Sequence, residues 1–180
     1  MIAVMSGELS AQLSRLPHHV RHVDTGRRLF RQGDAVRNLH LVTAGEVHLV
    51  RHNRDGLALT LQRARPGALL AEASLHADAY HCDGIAAAAS EVIAIAKQDL
   101  LAALARDPDL AAALQAHLAR EVQRAGQRAE ILSLRTVAER LDAWLAANDG
   151  TFPPKGDWKL IAAETGISPE ALYRELAKRR

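Results

Sequence analysis

The hydrophobic period of this chain changes once, at Lys97, and that single change limits what it can fold into. From Val20 to Ile95 short apolar runs alternate with turn signals at Gly26, Gly33-Asp34, Ala44-Gly45-Glu46, Asn53-Arg54-Asp55-Gly56, Pro66-Gly67 and Asp83-Gly84. Asp-Gly and related pairs flanked by strand-like runs favour hairpins, because glycine reaches backbone angles that other residues avoid. His40–Thr43, Val47–Arg51, Leu57–Gln62 and Glu91–Ala96 read as strands. Many short strands at such spacing predict a sandwich or barrel. Ahead of them, Leu9, Leu13 and Leu16 recur at helical spacing and predict one short amphipathic helix over residues 8–16.

Beyond Lys97 the pattern is helical. Gln98–Arg106 predicts a short helix. Asp107 is then a good N-cap, with Pro108 at the first helical position, where its missing N–H has no consequence. A long helical pattern follows to about Ala147. Leu110, Leu114, Leu118, Val122, Ala125, Ala129 and Leu132 fall at steps of four and three and form a seam close to a coiled-coil repeat. Such a seam has to be covered, and a second copy of the chain is the simplest cover, which predicts a homodimer through residues 110–132. Gly126 within the helix costs some stability and is compatible with close helix approach. Residues 148–154 read as a linker. Trp158–Thr165, a turn at Gly166 and a second helix capped by Ser168 with Pro169 after it form a helix-turn-helix pattern. No β-hairpin wing is expected beyond Arg180. The predicted organisation is a β-rich domain over 1–106, a dimerisation helix over 107–147 and a truncated helix-turn-helix over 148–180.

Composition narrows the function classes. At 180 residues with 48% apolar content, the chain can bury a core, and with 3% aromatics Leu, Val, Ile and Ala must fill it. A net charge of +2 permits nucleic-acid binding without arguing for it. A single Cys excludes an intrachain disulfide framework and any multi-cysteine metal site. A reducing cytoplasmic setting fits this, with no membrane partner, since no apolar run approaches a span and no secretory layout opens the chain. There is no nucleophile–base constellation, phosphate loop or paired metal motif, so an enzyme is not expected.

Five segments carry a resemblance. They are Gly26-Arg-Arg-Leu-Phe-Arg-Gln-Gly33-Asp34, Leu39-His-Leu-Val-Thr-Ala-Gly45-Glu46-Val47, Pro66-Gly67, Ala71-Glu72-Ala-Ser-Leu75 and Arg135–Leu145, with the helix-turn-helix following in order. Together they resemble the cyclic-AMP receptor protein/FNR (Crp/Fnr) family of transcription regulators. The resemblance implies an α+β fold: an N-terminal double-stranded β-helix (a jelly-roll-like β-roll) as sensor, a long central dimerisation helix and a C-terminal helix-turn-helix, here without a full wing. It implies that an effector in the sensor re-aims the DNA-binding ends of a homodimer. The expected partner is double-stranded DNA at a pseudo-palindromic site, with RNA polymerase as a further candidate.

The sensor departs from the cyclic-nucleotide pattern. Those members hold the ligand with a Gly-Glu pair for the ribose and an Arg-Ser pair for the phosphate. Here Ala71-Glu72 and Cys82-Asp83 stand at those places. The cation is lost and a carboxylate takes its neighbourhood, a like-charge contact on the order of several kcal/mol. Gln123–Arg128 also lacks the Thr-Ser pair that reads the base. A cyclic nucleotide is therefore disfavoured as effector.

Glu72, Ser74, His76, Tyr80, His81, Cys82 and Asp83 are the candidate effector-binding residues. Among them His76, His81 and Cys82 are candidate ligands for a metal or haem. Cys82 beside His81 is equally a candidate low-pKa redox thiol. Against both stands plain packing, with Cys82 a small buried apolar residue. His18, His19 and His22 read as solvated surface. His40, His48 and His52 fall on strands, the last two on one face, with no assigned role.

At the other end the family reads base edges with a Glu and, four residues later, an Arg. Glu170 and Arg174 match those positions. Glu accepts from cytosine N4, and Arg donates bidentately to guanine O6 and N7. Ser168, Tyr173 and Lys178 complete the candidate DNA-binding set, and Arg179 and Arg180 suit phosphates. The competing reading of Glu170 and Arg174 is an i,i+4 helix ion pair. The competing function is a sensor or interaction module of the same fold that has lost specific DNA binding.

Overall fold

The computed structural model describes residues 7–52, 58–148, 150–152 and 158–179. Its elements run α1 (Gly7–Ser14), β1 (His18–Val23), β2 (Arg28–Phe30), β3 (Asn38–Ala44), β4 (Val47–His52), β5 (Ala58–Ala64), β6 (Leu69–Leu70), a 3-10 turn (Glu72–Ser74), β7 (Asp83–Ala86), β8 (Ser90–Ala96), α2 (Lys97–Arg106), α3 (Pro108–Ser133), α4 (Val137–Ala146), α5 (Trp158–Thr165) and α6 (Pro169–Lys178). The chain divides into two compact units whose boundary falls within α3, after Leu118.

In the first unit the strands form two four-stranded antiparallel sheets, ordered β1-β8-β3-β6 and β2-β7-β4-β5. Between them lies a core of Val23, Phe30, Val42, Val47, Leu49, Leu70, Tyr80, Cys82 and Val92 with their neighbours. The other side of the first sheet is covered by helices. Leu39 and Leu41 of β3 and Ile93 and Ile95 of β8 pack there with Leu9 and Leu13 of α1, Leu100 of α2 and Leu110 and Leu114 of α3. Alternate residues of β3 and β8 thus serve two cores, which is why these strands read as continuous apolar runs.

The Ala44-Gly45-Glu46 turn is as expected. Gly45 has φ +80°, and a Cβ there would strike the Ala89 carbonyl and the Ser90 hydroxyl. Asp83-Gly84 is corrected: it lies inside β7, paired with β4, and is no turn. Gly84 is small for another reason, since a Cβ there would sit 2.7 Å from the Phe30 ring. The predicted Asn53–Gly56 turn and Leu57 lie outside the described residues.

The uninterrupted helix to Ala147 is also corrected. It breaks after Ser133, and α4 starts afresh with a capping box: Thr136 Oγ1 accepts from Glu139 N, and the Glu139 carboxylate accepts from Thr136 N (2.9 Å). Nor is the apolar seam of α3 one surface. Leu110 and Leu114 are buried in the first unit with Leu118 packed against them, while Val122 is 72% exposed and Leu132 39%. Residues 110–132 therefore do not form a single free face; only the part from Val122 onward stays open.

In the second unit α4, α5 and α6 gather around Ile131, Leu141, Trp144, Ile161, Ala162, Leu172 and Leu176. Asp107 caps α3 through its carboxylate, which accepts from Asp109 N and Leu110 N (3.0 and 3.1 Å). Ser168 caps α6 as expected. Gly166 has φ +64°, and a Cβ there would come within 2.6 Å of Leu132 Cδ2.

Candidate effector cassette and nucleic-acid interface

The cassette begins where β6 ends. Ala71 turns the chain with φ 68°, the one described non-glycine residue with positive φ, and delivers Glu72 at the start of the 3-10 turn. Ser74 is buried, and its hydroxyl lies 3.0 Å from His81 Nδ1. Burial, and next the Arg51 guanidinium, hold His81 below the usual imidazole range. Arg51 reaches over from β4 and donates from Nε to the His81 carbonyl (3.2 Å). His76 is exposed.

Tyr80 is buried, stacks on Phe30 at 4.1 Å between ring centroids and donates its hydroxyl to the Asn38 carbonyl (2.5 Å). Burial pushes its phenol up. Asp83 is also buried. Its carboxylate accepts from Gln32 N (2.7 Å) and from Arg28 Nε (3.2 Å).

Four expectations change on this geometry. Asp83 does not confront an incoming anion with a bare charge, because Arg28 and a backbone N–H already balance it. The cation that neighbours the cassette is Arg51, supplied by another strand. Cys82 is not a low-pKa thiol: it is 2% exposed, and burial pushes it up to about 11, so at neutral pH it stays protonated. His76, His81 and Cys82 do not converge as ligands; among the described residues no group of three His, Cys, Asp or Glu side chains is placed to hold a metal ion. Hydrogen bonds join Ser74 and Arg51 to His81, and Glu72 and Arg51 both act electrostatically on Cys82.

On α6 the picture reverses. Leu172 and Leu176 point into the core, and Ser168, Glu170, Tyr173, Arg174 and Lys178 are exposed. Glu170, Arg174 and Lys178 follow one another at steps of four and so share one face. No ion pair joins Glu170 to Arg174; Lys178 pairs with Glu175 at 3.7 Å. At the helix N-terminus the Glu170 backbone N–H and the Ser168 hydroxyl hold the Glu170 carboxyl below its usual range, so it stays an acceptor. The Tyr173 ring leans on Trp158 at 5.6 Å.

Residues that local reading misses position this face. Arg140 donates from Nε to the Leu134 carbonyl (2.8 Å), from Nη2 to the Leu132 carbonyl (3.1 Å), and from Nη1 to the Thr165 and Gly166 carbonyls (3.3 and 3.2 Å). It ties the end of α3 to the turn between α5 and α6. Trp144 Nε1 donates to the buried Glu164 carboxylate (2.7 Å). Arg179 pairs with Asp142 and Glu175 and donates to the Ala138 carbonyl (3.2 Å), which fixes the end of α6 on α4. The only sequence trace of these partners was the Arg135–Leu145 segment.

Known proteins resemble this arrangement. The cyclic nucleotide-binding domain model matches residues 20–107. The chain is 33% identical over 117 residues to the cyclic AMP receptor protein of Thermus thermophilus, a match covering 64% of this chain and 54% of that protein, so the chain spans about half the length of the curated relative it matches. It is 30% identical to the N-terminal domain of a transcriptional regulator from Streptomyces coelicolor, covering 69% of this chain and 87% of that one with TM-score 0.53. The fold also matches FixK2 from Bradyrhizobium japonicum over 91% of this chain and 84% of that one, with TM-score 0.72 at 19% identity. A two-sheet domain matched by the cyclic nucleotide-binding model, a helix leading from it and a capped helix-turn-helix, with these relatives, lead to one conclusion: the chain belongs to the cyclic-AMP receptor protein/FNR family of transcription regulators.

Proposed function

We propose that the chain is a DNA-binding transcription regulator that acts as a homodimer and answers a small-molecule signal other than cyclic AMP. The observation that carries this is the free face of α6: Glu170, Tyr173, Arg174 and Lys178 are exposed and share one side of a helix whose other side is locked by Leu172, Leu176 and Arg179. A carboxylate kept ionised, with the Arg174 guanidinium attracted to it but not in a close ion pair, suits a C·G step in the major groove. The exposed stretch of α3 around Val122, Ala125, Ala129 and Leu132 supports pairing with a second copy, which would set two recognition helices on a pseudo-palindromic site. RNA polymerase is the further partner of this reading, and the cytoplasm its setting. Effector held by Glu72, Ser74, His81 and Arg51 would shift an equilibrium between two orientations of the reading ends.

Arg174→Ala tests the reading. Mobility shifts on inverted-repeat DNA at graded salt should show specific binding in the parent and its loss in the variant, on the order of 10-fold to 100-fold, with the unfolding midpoint unchanged. Equal specificity in the variant overturns Arg174 as a reader. No specific binding by the parent at any salt favours the interaction-module reading.

A further inference from the structure

Beside the cassette, sharing Tyr80 with it, a cavity of about 320 Å³ opens between β1, β2 and β3. Arg21, Phe30, Asp34, Arg37, His40 and Tyr80 are among its lining residues. Its volume is at the lower end of the range for small-molecule sites. Three features mark it as built. First, the His40 imidazole is 1% exposed, and its Nδ1 has no hydrogen-bond partner among the described residues. A buried polar atom without a partner costs about 1–3 kcal/mol, and such atoms are rare in folded proteins. Burial, and then Arg21, push the His40 pKa down to about 3, so the ring is neutral at physiological pH.

Second, the apolar wall is an aromatic stack. His40 lies over Phe30 at 5.4 Å with 15° between planes, and Phe30 over Tyr80 at 4.1 Å. Third, two guanidinium groups stand at the rim against one carboxylate. Arg21 donates to the Leu29 carbonyl at 3.3 Å, and Arg37 makes no ion pair among the described residues. Asp34 is already engaged, its carboxylate accepting from Arg31 N (3.1 Å). Charge and donors thus converge on one kind of guest, an anion with an apolar body.

We infer that this cavity is a second small-molecule site, which takes a small organic carboxylate between Arg21, Arg37 and His40 with its hydrocarbon body against Phe30. Tyr80 links it to the cassette, since its ring lines the cavity while the next residue, His81, meets Ser74. The inference does not depend on DNA binding.

The test is titration of the full chain, labelled with 15N-histidine, with benzoate and separately with inorganic phosphate. Benzoate should move one histidine Nδ1 resonance saturably with a midpoint at or below about 1 mM. Arg21→Gln with Arg37→Gln should raise that midpoint at least ~10-fold, about 1.4 kcal/mol, with unchanged circular dichroism. Because both arginines are exposed, these substitutions leave the core intact. The proposal is overturned if benzoate moves no histidine resonance, if the double variant titrates like the parent, or if phosphate alone saturates the site.

Discussion

The loop from Glu72 to Asp83 and the helix from Pro169 to Lys178 are both rich in chemically versatile side chains, but the fold commits them differently. In the loop, Tyr80 is spent on Asn38, Asp83 on Arg28 and Gln32, His81 meets Ser74, and Cys82 is sealed in the core. On the helix the internal work falls to Leu172, Leu176 and Arg179, and Glu170 and Arg174 are left exposed. A reactive residue type is a functional candidate only when folding leaves its valence free. By that measure the helix keeps its polar side chains exposed, as the proposed DNA-reading role requires, whereas the loop spends most of its polar groups on the fold.

Arg140→Ala should act on the helical unit alone. That guanidinium serves four carbonyls of the helical unit and none described in the β-roll. Its loss should lower the stability of the helical unit by about 3 kcal/mol. Both tryptophans, Trp144 and Trp158, lie in that unit. Urea unfolding followed by tryptophan fluorescence should therefore shift, while the far-ultraviolet signal of the strands keeps its midpoint; a joint shift of both sinks the idea of separate support.

Acid sharpens the contrast next, because it acts on the β-roll. The folded His40 pKa lies near 3 against 6.5 unfolded, so the unfolded state binds the extra proton between those values. Stability from this group is full above pH 6.5 and falls as pH drops toward 3. At pH 4.5 the loss amounts to about 2–3 kcal/mol relative to neutral pH. His40→Phe should flatten that part of the profile whatever its absolute stability, and an unchanged slope would refute the assignment.

The smallest effect concerns Ala71. Its left-handed backbone costs roughly 1–2 kcal/mol, and its buried methyl returns about 0.8 kcal/mol. Ala71→Gly should thus stabilise the β-roll by about 0.5 kcal/mol, visible as a slightly later denaturation midpoint. A clear destabilisation would mean that the methyl packs more tightly than this balance allows.

Much of the architecture was legible because it is written locally. Strand cores, the Gly45 turn, the Asp107 and Ser168 caps and the Gly166 turn each follow from a few adjacent residues. The short strands β2 and β7 were not legible, since Asp83-Gly84 imitates a turn and only the Phe30 ring, more than fifty residues away, explains the glycine. The break after Ser133 was hidden because Thr136 and Glu139 look ordinary inside a helical pattern until they cap each other. The cassette was misread for the same reason at longer range. Asp83 acquires its partner from Arg28, 55 residues earlier, and Arg51 arrives through the pairing of β4 with β7. Composition names the groups in a site, whereas tertiary pairing decides which are still available.

The interruption between α3 and α4 has a mechanical meaning. An unclamped break would act as a swivel and absorb any rotation delivered along the helix. Here the Leu132 and Leu134 carbonyls on one side and the Thr165 and Gly166 carbonyls on the other are held by the same guanidinium, and the Leu132 side chain abuts Gly166. The joint is a welded elbow. A rotation delivered to Ser133 would therefore be passed to the three helices beyond it with little slack, as the proposed switch requires.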